Sequence, residues 1–460
     1  MAKTSRSTKA GTSALRERSE RQVLRALQQH GFASANGFRD DSFEGLQLVR
    51  VAEIAGLSRP SVYNVQDKYE QLLLDPLLRL RSDVGYAVGV EVGPRNARVA
   101  IADIHGQLFE HPERFERHFE FAQPPEEYLD WAAPMIDELV REAGVEPHEI
   151  MGVGISQVGP INTTTGNPHP AGLVNKSWRD VNVGDQLARR LVKERSEWES
   201  VVPGTSDNDT NLSALAEHTF GNAQGIEHVV YVNWSNHVGF GLILDGTPYR
   251  GSRGYAGELG HLVIEDDRSP RKRRKGEGPC LRCGKVGCLE ARIGAARIAE
   301  EFGAEEEDLP MAADYILDRV NPKRAGHQAG ERLRVEEAAR LLGEAVASIA
   351  NTLDPAALIL GGSVGERIHD DTALLGAFRE GLELRAQDFA KEIEIRQPKL
   401  PIAAVRGASL RIVNNRLFEW AQQKVAETAA STSKAEKVPD TTNDTRSEPL
   451  ISPPSPPEAL

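Results

Sequence analysis

Two periodicities alternate along the chain. In LRERSERQVLRALQQHG the apolar residues Val23, Leu24, Ala26 and Leu27 fall at helical spacing, and Gly31 is a natural cap at the end of the stripe. Downstream, in VRVAEIAGLSRPSVYNVQDKY, Ala52, Ile54 and Ala55 form the inward face of a short helix, Gly56 permits a tight turn and Leu57 plugs the core. Ser58 can cap a second helix, with Pro60 tolerated in its first turn. Val62 and Val65 then face inward at i, i+3, which turns Arg59, Ser61, Tyr63, Asn64 and Lys68 outward. This spacing predicts a helix-turn-helix, and those five residues are the candidate DNA contacts. The following LLLDPLLRL occupies the place of a β-wing, with Asp75-Pro76 where a glycine turn is expected.

From Val84 the period drops towards two. YAVGVEV and ARVAIADI read as paired strands, followed by β-type runs at Ile150–Ser156, His228–Asn233, Phe240–Leu244 and Ala357–Leu360. Helical patterns lie between them at Pro125–Ala143, Val183–Arg195, Asn211–Thr219 and Arg334–Leu353. Alternating strands and helices predict α/β layers, with ligands held at the glycine-rich corners after the strands: Gly159-Pro160, Gly239 to Gly241, and Gly361-Gly362. The expected organisation is a helix-turn-helix domain over 13–82, a body over 83–425 and a disordered tail over 426–460, where Ala, Ser, Thr, Pro, Glu and Lys replace large apolar residues. The first dozen residues are expected to be unstructured as well.

Composition narrows the classes. With 40% hydrophobic and 27% charged residues the chain is globular, and no apolar run reaches the roughly 18 residues of a membrane helix. The opening residues carry no apolar signal segment, so a cytoplasmic protein is expected. Residues 1–81 hold thirteen Lys/Arg against nine Asp/Glu, a net of +4, while the whole chain is at -13. A basic N-terminus on an acidic body predicts DNA contact through that end alone. The run Arg271-Lys272-Arg273-Arg274-Lys275 reads as a solvated loop, with a phosphorylated ligand or the DNA backbone as the alternative it could hold.

The three cysteines, Cys280, Cys283 and Cys288, lie within nine residues of one another. Three thiolates with the imidazole of His261 make a closed tetrahedral site for a structural Zn²⁺ that pins a loop and leaves no position for activated water.

The motifs GVGISQVGPI, SDNDTNLSALAEH, GELGH, CLRCGKVGCLE and LILGGS, in that order, resemble the ROK family of sugar kinases and sugar-responsive repressors. With the helix-turn-helix the resemblance is to the repressor branch. It implies a two-lobed, actin/hexokinase-like α/β body behind an N-terminal winged helix-turn-helix. It also implies sugar-hydroxyl contacts by Gly159, Asn208, Asp209, Glu258, His261 and Glu290, with Asp209 the base in the family's kinases. Carboxylates suit this task because they accept paired hydrogen bonds from vicinal hydroxyls. On local grounds alone, SDND also reads as the cap of the helix that follows. Asn175 lies one place from the family's Asn, and the family's first Cys-x-Cys is here Cys-x-x-Cys, a common zinc spacing in its own right.

The phosphate cradles depart from the kinase pattern. Asp-x-Gly-Gly-Thr becomes Glu91-Val92-Gly93-Pro94-Arg95, and Gly-Thr-Gly becomes Ser235-Asn236-His237. Side chains stand where backbone must approach phosphate, which predicts loss of phosphoryl transfer. The reading reached is a homodimeric or dimer-of-dimers repressor that binds a double-stranded operator and senses a sugar or sugar phosphate. The alternatives are an ATP-dependent sugar kinase, and a regulator that has lost its ligand and answers to a partner or to charge on its tail.

Overall fold

The computed structural model describes residues 4–30, 48–74, 79–93, 96–109, 116–118, 123–169, 176–201, 204–264, 278–321 and 329–435. Three helices come first: α1 (Thr4–His30), α2 (Leu48–Ala55) and α3 (Arg59–Tyr69). Gly56 makes the turn between α2 and α3 at a φ of 63°. Leu73–Leu74 (β1) and Arg79–Leu80 (β2) pair antiparallel, so a minimal wing forms without a glycine turn. From Thr4 on, the first dozen residues are helical rather than unstructured as expected, because α1 begins there. Once its second half is packed, each further residue adds one backbone hydrogen bond without a new nucleation cost.

The first lobe is a five-stranded mixed sheet in the order β5-β4-β3-β6-β7, made of β3 (Tyr86–Val92), β4 (Asn96–Asp103), β5 (Glu116–His118), β6 (Ile150–Gln157) and β7 (Thr205–Asn208). Helices α4 (Pro125–Glu142) and α5 (Val183–Glu194) cover one face. Every residue of the central β6 is buried, as its nearly unbroken apolar run requires. Helix α6 (Asp209–Phe220) leaves the sheet edge and leads to the second lobe.

The second sheet runs β10-β9-β8-β11-β12, from β8 (Val229–Trp234), β9 (Val238–Leu244), β10 (Thr247–Pro248), β11 (Ala357–Gly361) and β12 (Glu394–Arg396). Its core is filled by α7 (Leu289–Ile293), α8 (Ala295–Glu301), α9 (Ala312–Arg319), α10 (Ala329–Leu353), α11 (Ser363–Asp370) and α12 (Thr372–Arg385). All the strands and helices expected between 84 and 360 are present, within a few residues at their ends.

The last helix, α13 (Ala403–Ala435), returns to the first lobe. It lies directly on β6 and α6: a Cβ on Gly154 would come within 1.9 Å of the Ala408 carbonyl oxygen, and one on Gly407 within 2.0 Å of that of Leu212. Farther along, Ile412, Val413, Leu417, Phe418, Trp420 and Ala421 share one apolar core with Val23, Leu24, Leu27, Val51, Val62 and Val65. Trp420 also donates its indole N–H to the Val84 carbonyl at 2.8 Å. The helix-turn-helix is therefore not a separately packed body; α13 completes its core. The helix also runs to Ala435, into the segment expected to be disordered from 426, because AETAASTSKA is compatible with extending a helix already held by packing. Residues 436–460 lie outside the described residues, as do Gly31, Pro94, Arg95, Asn175 and the 271–275 run.

Candidate functional site

A cavity of about 250 Å³ opens between the lobes, and Gly159, Asn208, Asp209, Glu258, His261 and Glu290 all line it. β7 ends and α6 begins at the first pair. Asn208 Oδ1 accepts from the Thr210 and Asn211 N–H groups at 3.0 and 3.1 Å, so the side chain caps α6. Its Nδ2 donates to the Gly159 carbonyl at 3.0 Å, which ties the cap to the opposite corner of the cavity. Asn208 is thus the cap expected of SDND, and the same residue lines the cavity. Asp209 Oδ1 accepts from the Thr210 N–H at 2.8 Å. Burial raises the Asp209 carboxyl above its usual range, a push opposed by the Thr210 hydrogen bonds and by the charges of Arg282 and His237.

Glu258 enters from the second lobe on the loop after β10. Burial raises it too, against the attraction of Arg282 and His261, while Asp209 and Glu290 add to the rise. Its side chain keeps 38% of its surface exposed, so this cavity edge stays wet. Glu290 differs from the other two: Oε1 pairs with His237 Nδ1 at 2.8 Å and Oε2 accepts the Val238 N–H at 2.7 Å. Both of its oxygens hold the 235–238 segment, and Glu290 lines the cavity at the same time.

The metal-binding candidates converge as well. One ligand atom each from His261, Cys280, Cys283 and Cys288 lies within 4.8 Å of the others. His261 Nδ1 is 3.9 Å from Cys280 Sγ, and its Nε2 is 3.9 Å from Glu258 Oε2, so one ring faces both the sulfurs and the cavity. The hydrogen bond from Cys288 holds the Cys280 thiol well below its ordinary range and Cys288 correspondingly above it. Metal binding displaces protons from such thiols, and three thiolates with one imidazole fit a divalent cation.

Elsewhere on the cavity wall, side chains bind one another: Glu91, Arg98, Ser235, Asn236 and His237 all line the same space. Glu91 pairs across the β3–β4 ladder with Arg98 at 3.1 Å, and Arg98 continues to Glu116 on β5 at 2.9 Å. In the second loop Asn236 Oδ1 accepts the Ala313 N–H at 2.9 Å, Ser235 Oγ accepts the Ser363 N–H at 3.2 Å, and His237 is held by Glu290. Sequence reasoning missed Arg98 and Arg282, which also line the cavity. Arg98 was within reach from hairpin register, since it stands directly opposite Glu91. Arg282, inside the Cys-x-x-Cys loop, carried no comparable signal.

On the helix-turn-helix, Arg59, Tyr63 and Asn64 are exposed, and Tyr63 keeps 55% of its surface. Ser61 is half-buried and its hydroxyl meets that of Ser58 at 2.9 Å. Lys68 does not project as expected. Its ammonium pairs at 2.6 Å with the buried Glu20 of α1, which also accepts from the Tyr69 hydroxyl at 3.0 Å. A buried carboxylate draws the nearest cation inward, and helical spacing on α3 alone could not show that Glu20 lies across from it. Arg16 and Ser19 of α1 line a groove with Ser61 and Asn64.

Comparison with known proteins adds a family. The ROK family model matches residues 87–410. A glucokinase of Halalkalibacterium halodurans is 32% identical over 227 residues, 47% of this chain and 63% of the kinase, less than two thirds of its length. The xylose repressor of Bacillus subtilis is 26% identical over 290 residues, 63% of this chain and 67% of the repressor. The crystal structure of a ROK family transcriptional regulator, a homologue of the E. coli MLC protein, superposes with a TM-score of 0.65 at 17% identity, covering 90% of this chain and 99% of that one. At that identity the likeness is one of fold.

Proposed function

The chain belongs to the ROK family, and from that premise we propose that it is a sequence-specific DNA-binding repressor whose cavity senses a sugar or sugar phosphate and does not transfer phosphate. The observation that carries this reading is the pairing of two features in one chain: an exposed Arg59, Tyr63 and Asn64 on a helix-turn-helix, and a cavity wall where Glu91, Asn236 and His237 are bonded to other side chains and backbone. Asp209, Glu258 and His261 receive sugar hydroxyls, with Asn208 and Gly159 shaping the wall. A Zn²⁺ on His261, Cys280, Cys283 and Cys288 holds the loop that presents His261, fixing the ring so that the nitrogen not bound to metal serves the cavity. Sugar binding closes the lobes and shifts paired DNA-binding regions of a homodimer between operator-competent and incompetent states.

A kinase reading draws on Asp209 and on the glucokinase relative. It requires phosphates to pass Asn236 and His237, whose side chains are tied to α9 and α7. The test is selection of bound DNA from random genomic fragments, with and without a panel of pentoses, hexoses, amino sugars and their phosphates. An enriched inverted repeat whose recovery changes with one sugar supports the proposal. Enrichment of nothing, together with ATP-dependent phosphorylation of a panel member, replaces it with the kinase.

A further inference from the structure

Asp207 sits one residue before the capping pair and is fully buried. Its Oδ1 accepts the Asn208 backbone N–H at 2.8 Å. Its Oδ2 takes two guanidinium groups, Arg250 Nε at 2.6 Å and Arg411 Nη1 at 2.7 Å. These partners belong to three different parts of the molecule. Asn208 ends β7 of the first lobe. Arg250 follows β10 of the second lobe, on the loop that continues to Glu258. Arg411 lies on α13, one residue before Ile412 and Val413 join the helix-turn-helix core. Arg411 also donates to the Ser206 carbonyl at 3.0 Å.

A buried carboxylate between two guanidiniums is an expensive arrangement unless all its partners stay in place, so the triad is either complete or strongly disfavoured. We infer that Asp207 is a positioning residue that sets the spacing of Asp209 against Glu258 and registers both against α13. This inference rests on the sugar-sensing reading for its consequence but not for its geometry. When the 249–258 loop moves with a ligand, Arg250 must carry Asp207 or part from it. In either case the ion pair with Arg411 and the cap of α6 respond. The device needs no contact between ligand and α13, because one charge holds all three elements.

The test uses the full metal-bound chain and the variants Arg250→Met, Arg250→Lys and Arg411→Met, each of which leaves Asp207 one guanidinium. Hydrogen–deuterium exchange is read in three segments: 206–211, 249–258 and 405–414. Arg411→Met is expected to speed exchange in 249–258 as well as in α13, and Arg250→Met in 405–414 as well as in its own loop. Changes confined to the segment carrying the substitution would overturn the inference, whatever the ligand proves to be. In the second arm, the sugar panel is applied with thermal shift and operator binding as readouts. Arg250→Met should weaken sugar binding by about tenfold, the scale on which groups that orient a binding shell act, and remove the effect of sugar on the operator. Arg250→Lys should restore part of both. A wild type that answers to no sugar defeats the sensing proposal, and the exchange arm still decides the role of Asp207.

Discussion

The two sides of the interlobe cavity differ in what holds their side chains. On the side proposed to receive hydroxyls, Asp209 and Glu258 line the cavity, and His261 stands between Glu258 and the cysteines. On the other side, Glu91, Arg98 and Glu116 form a chain of ion pairs, and Asn236 and His237 are bonded to the helices of the second lobe. The difference teaches that one cavity can join side chains bonded into the surrounding structure to carboxylates raised by burial and facing the open space. On the proposed reading, binding and transfer draw on different residues, so the first can persist without the second.

The largest effect that would break this contrast comes from the metal cluster. Chelation of the purified protein should lower its melting temperature and abolish sugar-induced stabilisation together, since metal binding in comparable small sites carries about 10 kcal/mol of folding energy. Metal analysis should return about one Zn per chain. Unchanged melting and sugar response after chelation would separate the cluster from the hydroxyl side.

Next in size are the acceptors. Asp209→Ala and Glu258→Ala should each remove the sugar-dependent thermal shift, which for wild type reaches about 2.7 kcal/mol at a hundredfold excess over Kd. A third measurement concerns the side held by Glu91, Asn236 and His237. ATP and the sugar panel should yield no phosphorylated product from wild type, and clear turnover lost on Asp209→Asn would collapse the contrast.

The smallest effect is one of pH. Both Asp209 and Glu258 are raised by burial, so their ionised forms are lost first on acidification. The state with both carboxylates ionised thus fades as pH falls, starting at a pH higher than the roughly 4 of an ordinary carboxylate. Isothermal titration at several pH values checks this, and an affinity flat from neutral to pH 4 would contradict it.

Most of the fold was legible because period-two runs such as YAVGVEV and IMGVGIS and the capped helices between them state their own local structure. Helix α13 was not, since most of Ala403–Val413 is buried and no polar face marks its period. For the same reason the dependence of the helix-turn-helix on Phe418 and Trp420 could not be read from residues 13–82. Removing residues 1–81 would therefore expose an apolar face of α13, and substitutions at Arg59 or Asn64 test DNA contact more cleanly. Residue types and order named six residues that do line one cavity, but only the structure showed Glu290 bonded to His237 there, and Lys68 of the helix-turn-helix turned to Glu20. Such pairings join residues about fifty positions apart in the chain, and neither periodicity nor motif spacing encodes them.

The most direct measurement is an anisotropy titration of the selected operator with wild-type protein, Arg59→Ala, Asn64→Ala and Glu258→Ala, each with and without the selected sugar. Wild type should bind with an affinity that falls steeply with salt and changes when sugar is added. Asn64→Ala should lose about 1–3 kcal/mol at one base step if its contact there is bidentate, Arg59→Ala should weaken binding across sequences, and Glu258→Ala should bind the operator normally but ignore the sugar. Operator affinity untouched by Arg59→Ala and Asn64→Ala, or a sugar response that persists in Glu258→Ala, would contradict the reading of this chain as a sugar-sensing repressor.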